Sequence, residues 1–330
     1  MRVGLAVWCG VAVVLATASA PVCADPQRPL VAVASERLVR LFDSSGAELQ
    51  ALAHDGAVHC VAFSADGRRL FTAGEDRTLR SWIVENGALD ASTEAHPGGV
   101  LCMAVQPGGR LLATGGGDNA IKLWASLAAP PVVTIAAHSQ PVKVLAWSWD
   151  GAHLASAGAD RLVQVWRADG GLAGTIVGHD EPVTGLAWSR DRQVLLTSSL
   201  DGFVRAWRLA DFSLIARQRC SDRGVSAMDV SPDGRMMATG GPDGRLRLWD
   251  IGWSGAGAAF TEVASATVER SVTSLAWLGD GSALVAGSAD RSARVFRGRQ
   301  LAAGPRLAAP DGSVSAVAVF PWMPPDPAQL

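Results

Sequence analysis

The chain has 330 residues, of which 48% are hydrophobic and 18% charged, and its formal net charge is −2. The large apolar fraction and the low charge exclude a disordered chain. The 29 basic and 31 acidic residues are spread along the sequence without a basic block, which argues against a nucleic-acid partner.

The N-terminal segment differs in composition from everything that follows it. Arg2 precedes an apolar run from Val3 to Ala18, and small residues come next. This pattern predicts a cleaved secretory signal peptide over residues 1–24 and a periplasmic location for a single domain over 25–330. An uncleaved membrane anchor is the alternative, although the apolar run is shorter than the roughly 20 residues that span a bilayer. No later stretch is long and apolar enough to span one, so we expect no membrane contact after cleavage.

An acidic residue followed six positions later by an aromatic residue recurs seven times. The acidic positions are separated by 40, 42, 42, 41, 42 and 47 residues. The pairs are Glu36/Phe42, Asp76/Trp82, Asp118/Trp124, Asp160/Trp166, Asp201/Trp207, Asp243/Trp249 and Asp290/Phe296. Repeats of this length are typical of propellers and solenoids.

Each repeat carries short apolar runs and turns in the same order. A run that begins with Val, such as "VHCVAF" from Val58, leads into a Gly/Asp turn, such as "SADG" over 64–67. A second run ends at the acidic turn, and a third run and a shorter outer run follow. Gly/Asp turns join antiparallel strands tightly, so each repeat predicts four antiparallel strands, the content of one propeller blade.

With these markers the sequence resembles the WD-repeat β-propeller family over about residues 29–320, and a WD dipeptide is present at Trp249-Asp250. The first repeat lacks a first strand, whereas 314–320 is a first strand with nothing after it. Joined, the two ends complete a seventh blade and remove exposed sheet edges. We therefore predict an all-β, seven-bladed propeller of four-stranded antiparallel blades, closed by its N-terminal and C-terminal strands. The predicted blades cover 29–53 with 314–320, 58–95, 100–137, 142–178, 183–220, 225–267 and 272–309.

Four repeats hold a His, a hydroxyl residue, an Asp and a Trp, which include the residue types of a hydrolase triad. The sets are His54/Thr72/Asp76/Trp82, His96/Thr114/Asp118/Trp124, His138/Ser156/Asp160/Trp166 and His179/Thr197/Asp201/Trp207. They resemble the structural tetrad of WD-repeat propellers. A linked chain of hydrogen bonds satisfies all four buried groups, and a hydroxyl between packed blades is shielded from a substrate. We therefore expect no catalytic, cofactor-binding or metal-binding residue and no enzyme.

The resemblance implies that a protein or peptide partner binds the face made by the loops before each first strand and the turns after each second strand. We refer to this as the loop face. At the positions that flank each first-strand valine or precede each acidic turn residue, the large or charged side chains fall on one arc, with Asp180 and Glu181 at the rim. The arc consists of His59, Glu75, Leu101, Lys143 and Leu200. We expect the arc to be the contact patch of a monomeric interaction scaffold, and ordinary surface variation is the alternative.

Two other functions stay open from the sequence. One is a lactonase-like propeller enzyme or cofactor-binding protein with its ligand in the central channel, although the channel-facing positions show no cluster of Asp, Glu, Asn or His. The other is an accessory subunit of a periplasmic redox enzyme, which no motif supports or excludes.

Three cysteines and one tryptophan need separate predictions. Cys60 and Cys102 occupy equivalent positions of adjacent inner strands, where we expect buried thiols rather than a disulfide. Cys220 falls in a loop of the loop face, where we expect a reactive thiol. Trp253 lies in the segment 250–260, behind the longest repeat spacing, and is either an exposed anchor or folded back onto its blade.

Overall fold

The computed structural model describes residues 31–43, 45–190, 193–254 and 257–320. These residues form seven sheets of four antiparallel strands, whose innermost strands contact one another in a closed ring. The seven-bladed propeller predicted from the sequence is therefore confirmed. Across the described ranges, no helix has the length and apolarity needed to cross a membrane. The predicted signal peptide lies outside the described residues.

In blades two to seven the strands run from the inner to the outer position in chain order, whereas in blade one the last strand of the chain is innermost. Blade one consists of β28 (Val314–Val319), β1 (Val31–Ser35), β2 (Leu38–Phe42) and β3 (Glu48–Ala53). Blade two consists of β4 (Val58–Phe63), β5 (Arg69–Gly74), β6 (Thr78–Ile83) and β7 (Leu89–Glu94). Blade three consists of β8 (Val100–Val105), β9 (Leu112–Gly116), β10 (Ala120–Trp124) and β11 (Val133–Ala136). Blade four consists of β12 (Val142–Trp147), β13 (His153–Gly158), β14 (Val163–Arg167) and β15 (Leu172–Ile176).

The remaining three blades follow the same order. Blade five consists of β16 (Val183–Trp188), β17 (Val194–Ser199), β18 (Phe203–Arg208) and β19 (Leu214–Arg219). Blade six consists of β20 (Ala227–Val230), β21 (Met236–Gly240), β22 (Arg245–Ser254) and β23 (Gly257–Thr267). Blade seven consists of β24 (Val272–Trp277), β25 (Ala283–Ser288), β26 (Ser292–Arg297) and β27 (Ala302–Ala308).

Burial falls from the hub to the rim of every blade. The inner strand β4 is buried along its whole length, whereas the outer strand β7 alternates between half-buried and exposed residues. An inner strand is covered on both faces by its two neighbouring blades, which explains its continuous apolar sequence. The core is therefore divided among the spaces between blades.

The predicted Gly/Asp turns are present between the first and second strands. In blade two, Gly67 adopts a φ of 64°, and the Asp66 carboxylate accepts hydrogen bonds from Ser64 Oγ (2.6 Å) and from Arg68 N (3.0 Å). A left-handed φ is readily available only to glycine, and the Asp satisfies backbone donors of its own turn. The turn sequence thereby fixes the register of the two strands.

The ring closes as predicted, because β28 pairs antiparallel with β1. Val31 lies opposite Val319, and Ala34 lies opposite Ala316. The Ser315 hydroxyl also donates to the carbonyl of Val58 in blade two (2.6 Å). Both chain ends are therefore bonded into one sheet and to the next blade.

Blade six departs from the predicted pattern in two places. Its inner strand begins at Ala227 rather than at Val225, since the amide of Val225 donates to Ser199 O of blade five (3.1 Å). The extra residues lengthen the outer hairpin, whose strands have 10 and 11 residues. Trp253 folds back onto the blade, and its Nε1 donates to Gly234 O (3.2 Å).

A buried carboxyl group joins blades six and seven at the hub. Asp229 is 5% exposed, and its two oxygens accept from the amides of Val230 (2.8 Å) and Trp277 (2.8 Å). Burial raises its pKa to about 7, and the two amide donors only partly offset this effect. The other six blades place an alanine at this position: Ala62, Ala104, Ala146, Ala187, Ala276 and Ala318.

We predict that Asp229 makes the protein less stable as the pH rises from about 4 to about 7. In this range the folded state keeps a proton that the unfolded state, with a pKa of 3.8, has released. One pKa unit corresponds to about 1.4 kcal/mol, so the effect across the range is on the order of 4 kcal/mol. Denaturant titrations of wild type and Asp229→Ala at several pH values measure it.

The stability difference between the two proteins should change in favour of Asp229→Ala as the pH rises. The buried histidines have lowered pKa values and act in the opposite direction, but they are common to both proteins and cancel in the difference. A difference that is constant between pH 4 and pH 8 would show that Asp229 is ionised in the folded protein. Asp229→Asn, which cannot ionise, serves as the second variant.

Candidate functional site

The four predicted tetrads are buried between blades, and two of them form the expected chain of hydrogen bonds. In blade four, His138 Nδ1 lies 3.0 Å from Asp160 Oδ1 and His138 Nε2 lies 2.8 Å from Ser156 Oγ. Trp166 Nε1 donates to the same hydroxyl (2.9 Å). Blade three repeats this geometry with His96, Thr114, Asp118 and Trp124.

In blades two and five an arginine separates the histidine from the aspartate. Arg205 Nη1 donates both to His179 Nδ1 (2.8 Å) and to Asp201 Oδ2 (2.7 Å), while His179 Nδ1 is 3.7 Å from the carboxylate. Arg80 binds His54 and Asp76 in the same way, and Nε2 of His54 has no partner among the described residues. In these two blades the link from histidine to aspartate therefore runs through a fifth residue that the predicted tetrad did not include.

The residue four positions after the aspartate decides which arrangement forms. It is Arg80 in blade two and Arg205 in blade five, but Lys122 in blade three and Gln164 in blade four. An arginine has no acceptor, so the histidine must present a bare Nδ1 to it and carry its proton on Nε2. Without arginine, Nδ1 carries the proton and donates to the carboxylate. The same four residue types thus hold two histidine tautomers.

The tetrads offer no catalytic chemistry, since Thr114, Ser156 and Thr197 have no exposed surface. Burial lowers the pKa of His138 below its usual value, and the nearby Asp160 carboxylate only partly offsets this. A neutral imidazole between a hydroxyl and a carboxylate resembles a triad, but no substrate reaches the hydroxyl. The interpretation of these sets as structural is therefore consistent with their geometry.

Where the histidine is lost, the site changes its character. In blade seven, Val268, Ala286 and Phe296 are buried and belong to one apolar cluster. In blade six, Ser221 takes the histidine position, and its hydroxyl is 3.4 Å from Asp243 Oδ2. Trp249 Nε1 keeps its bond to Thr239 (2.9 Å). The network is thus replaced as a unit in one blade and shortened in the other.

The structure brings together three of the five arc residues. His59 Nε2 lies 3.9 Å from Glu75 Oε1, and the charges of both Glu75 and Lys143 act on His59, although burial has the largest effect and lowers its pKa. Leu101 holds the equivalent position in blade three, between His59 and Lys143 in the ring. Leu200 lies in blade five and packs its backbone against Gly224.

Exposure within the arc is lower than the sequence predicts. Glu75 is exposed, Lys143 and Leu200 are half-buried, and His59 and Leu101 are buried at 8% exposure each. The inner strands converge at the channel, so a large side chain after the first-strand valine packs against its neighbours. The accessible part of the arc is therefore Glu75 together with the half-buried Lys143 and Leu200, of which Glu75 and Lys143 carry charge.

The residue directly after the first-strand valine, or its equivalent, carries a hydroxyl group in the other four blades. Three of them donate to the carbonyl of the first-strand valine, or its equivalent, in the next blade. These bonds are Thr184 Oγ1 to Val225 O (2.7 Å), Ser226 Oγ to Val272 O (2.5 Å) and Ser315 Oγ to Val58 O (2.6 Å). The small residues opposite the arc thus connect the blades of the ring.

Cys60, Cys102 and Cys220, the cysteines of the described ranges, are thiols. The thiol of Cys60 donates to Ala73 O (3.7 Å) and that of Cys102 to Val142 O (3.6 Å), which confirms the prediction of buried thiols. Cys220 is also buried, and burial raises its pKa to about 12. The prediction that Cys220 is reactive is wrong, because a thiol with this pKa is protonated at neutral pH.

A cleft of about 520 Å³ lies between blades two and three, on the side of the blades away from the arc. Its wall includes Arg69 and Asp90, which form an ion pair of 2.8 Å, and the indole of Trp124. Within the described ranges, no group of three or more His, Cys, Asp or Glu residues is placed to hold a metal ion.

Comparison with known families identifies the repeat. Residues 20–265 match the family described as the IFT122 first beta-propeller, and residues 263–297 match the WD domain, G-beta repeat. The chain belongs to the WD40 β-propellers of the IFT122 first-propeller family. WD40 propellers are typical of protein–protein interaction scaffolds and are generally non-catalytic.

A solved structure shares the WD40 propeller fold along most of its length. A chain of the "Crystal Structure of Mitotic Checkpoint Complex" is 25% identical, with a TM-score of 0.74, over 83% of this chain and 88% of its own. The curated proteins contain no significant match. The structural neighbour is thus a chain of a protein complex.

We predict that Thr114→Val destabilises the protein more than Thr239→Val. The first change leaves both His96 and Trp124 without their shared hydroxyl, whereas Thr239 receives a bond from Trp249 and has no histidine partner. A buried polar group left unsatisfied costs about 1–3 kcal/mol. We expect Thr114→Val to lower the free energy of unfolding by about 1 kcal/mol more than Thr239→Val, as measured by denaturant titration. Equal losses would mean that the histidine does not contribute through the hydroxyl.

Proposed function

We propose that this protein is a non-catalytic scaffold that holds a protein or peptide partner on its loop face, at the arc formed by blades two to five. The observation that carries the proposal is the group of His59, Glu75 and Lys143. The inner strands of blades two and four and a turn of blade two place two opposite charges where they act on a buried imidazole. Charges of this kind select a partner and orient it more than they add affinity.

The tetrads support a scaffold rather than an enzyme. Their hydroxyls are covered, their histidines are neutral because burial lowers the pKa, and the aspartates are bonded to backbone or to arginine. The polar groups that could react are thus engaged in holding blades together. The Glu75 and Lys143 side chains are not engaged in this way, so they are available to a partner.

We further propose that the scaffold works in a bacterial periplasm as a monomer, after cleavage of residues 1–24. Arg2, the apolar run and the small residues near Ala24 support export. Fractionation of cells and N-terminal sequencing of the mature protein test this proposal. A protein that keeps its first 24 residues and sediments with membranes would contradict it.

We predict that the double variant Glu75→Ala and Lys143→Ala binds its partner at least tenfold more weakly than wild type, because both charged side chains of the arc are removed. Pull-down from a periplasmic extract with wild-type protein, followed by quantitative mass spectrometry, identifies the candidate partner. Calorimetry with the purified partner then gives the two dissociation constants. His59→Gln, which keeps a polar side chain at the buried position, tests the third arc residue.

The matched control carries Glu85→Ala and Arg110→Ala on exposed loops of the opposite face. It removes the same two charge types, so it should bind the partner as wild type does. If the arc variant and the control bind equally well, the arc is not the contact patch. A tightly bound metal ion or cofactor in the purified protein would instead favour the enzyme or redox-subunit function.

A further inference from the structure

The loop face carries a second charged region, opposite the arc, in blades six and seven. Two arginines lie in the loops before the inner strands, and two lie at the turns between second and third strands. These are Arg223 and Arg270, and Arg245 and Arg291, and all four are exposed. With Arg294 of β26, which is half-buried, we define them as the basic sector.

Arginines of the basic sector form no ion pair with the described part of the chain, because the nearby carboxylates are already occupied. Asp222 pairs with Arg219 (2.8 Å), Asp243 with Arg247 (2.7 Å) and Asp290 with Arg306 (3.6 Å). Glu269 is the remaining carboxylate of the described loop-face loops in these two blades. Five guanidinium groups therefore face one uncompensated carboxylate in a protein whose net charge is −2.

Arg294 shows why this region is unbalanced. In blade five the equivalent Arg205 binds both the tetrad histidine and the tetrad aspartate. In blade seven Val268 replaces the histidine, and Asp290 accepts from Ser292 Oγ (2.6 Å) and pairs with Arg306. The guanidinium of Arg294 is left half-buried without a partner, which is unfavourable unless an anion approaches it.

Two hydroxyl groups beside the sector also lack a partner. Ser271 and Thr273 flank Val272 at the loop-face end of β24, next to Arg270 in the chain, and their hydroxyl oxygens have no hydrogen bond among the described residues. Thr184 and Ser226, at the position equivalent to Thr273, each donate to the following blade. Both oxygens are buried, so an anion at the sector would contact its guanidinium groups and not these hydroxyls.

We propose that the basic sector binds an acidic peptide segment, rich in Asp and Glu, of the partner protein. The inference rests on the proposed scaffold function and adds the chemistry and orientation of the partner. Guanidinium groups form bidentate pairs with carboxylates. Glu75 in blade two, across the loop face from the sector, repels the same segment, so the partner lies across the face in one direction.

A nucleic acid fits the sector less well than an acidic peptide. Proteins that bind single strands add aromatic side chains on which bases stack. The described loop residues of blades six and seven include no aromatic side chain, and Phe203 of blade five has Arg217 over its ring at 4.3 Å. The sector therefore offers charge without a stacking surface.

The test uses fluorescence anisotropy with a labelled peptide of six glutamates separated by glycine and serine. Its counterpart with six glutamines is the neutral probe. We expect the purified protein to bind the glutamate peptide with an affinity that falls as the salt concentration rises. We expect no detectable binding of the glutamine peptide. The double variant Arg270→Gln and Arg291→Gln should weaken binding about tenfold.

The matched control is Arg110→Gln with Arg235→Gln, two exposed arginines in turns of the opposite face. It changes the net charge equally, so it should bind as wild type does. If both double variants lose the same affinity for the glutamate peptide, non-specific charge attraction explains the binding and the proposal is overturned. If a labelled twelve-nucleotide single strand binds more tightly than the glutamate peptide, the proposal is overturned in favour of nucleic acid. Absence of binding to the glutamate peptide removes the acidic ligand alone, since the scaffold function is judged by the arc variants and the captured partner.

Discussion

The pairing of β28 with β1 is the constraint on which the rest of the propeller depends. An inner strand such as β4 is apolar along its whole length, so it requires a neighbouring blade on each face. Closure of the ring supplies those neighbours to every blade at once. The hydroxyl bonds from Thr184, Ser226 and Ser315 to the next blade add polar links in the same direction around the hub. Stability is therefore a property of the complete ring, and each blade contributes by covering the next.

The tetrads show how one sequence pattern supports two different networks. His138 binds Asp160 directly, whereas His179 reaches Asp201 through Arg205. The difference arises from a residue outside the tetrad itself and changes the ring nitrogen that carries the proton. A pattern that looks uniform in the sequence thus hides blades with different chemistry. The same position, once its histidine and aspartate partners are lost or occupied, leaves Arg294 as an unmatched cation at the surface.

Repeat spacing, Gly/Asp turns and the incomplete first and last repeats were sufficient to predict the propeller, its blade count and its closure, because each is a local pattern repeated in register. The burial of His59 and Leu101 was not predictable in this way, since it depends on how closely inner strands converge at the channel. Asp229 gave a signal that was missed, namely one carboxyl at a position that is otherwise alanine. The arginine in the tetrads of blades two and five also gave a signal, four residues after the aspartate, but its effect required the distances between three side chains.

The closing sheet has a consequence for the order in which the molecule folds. The bond from Ser315 to Ala34 O joins residues 281 positions apart, so the contact cannot form until nearly the whole chain is present. Contacts of such long sequence separation form slowly, and until they form, β1 and the inner faces of the neighbouring blades remain uncovered. A chain whose last strand is delayed or removed exposes apolar strand edges that can pair with another molecule. The pairing of β28 with β1 is therefore needed both to cover these edges during folding and to stabilise the finished ring.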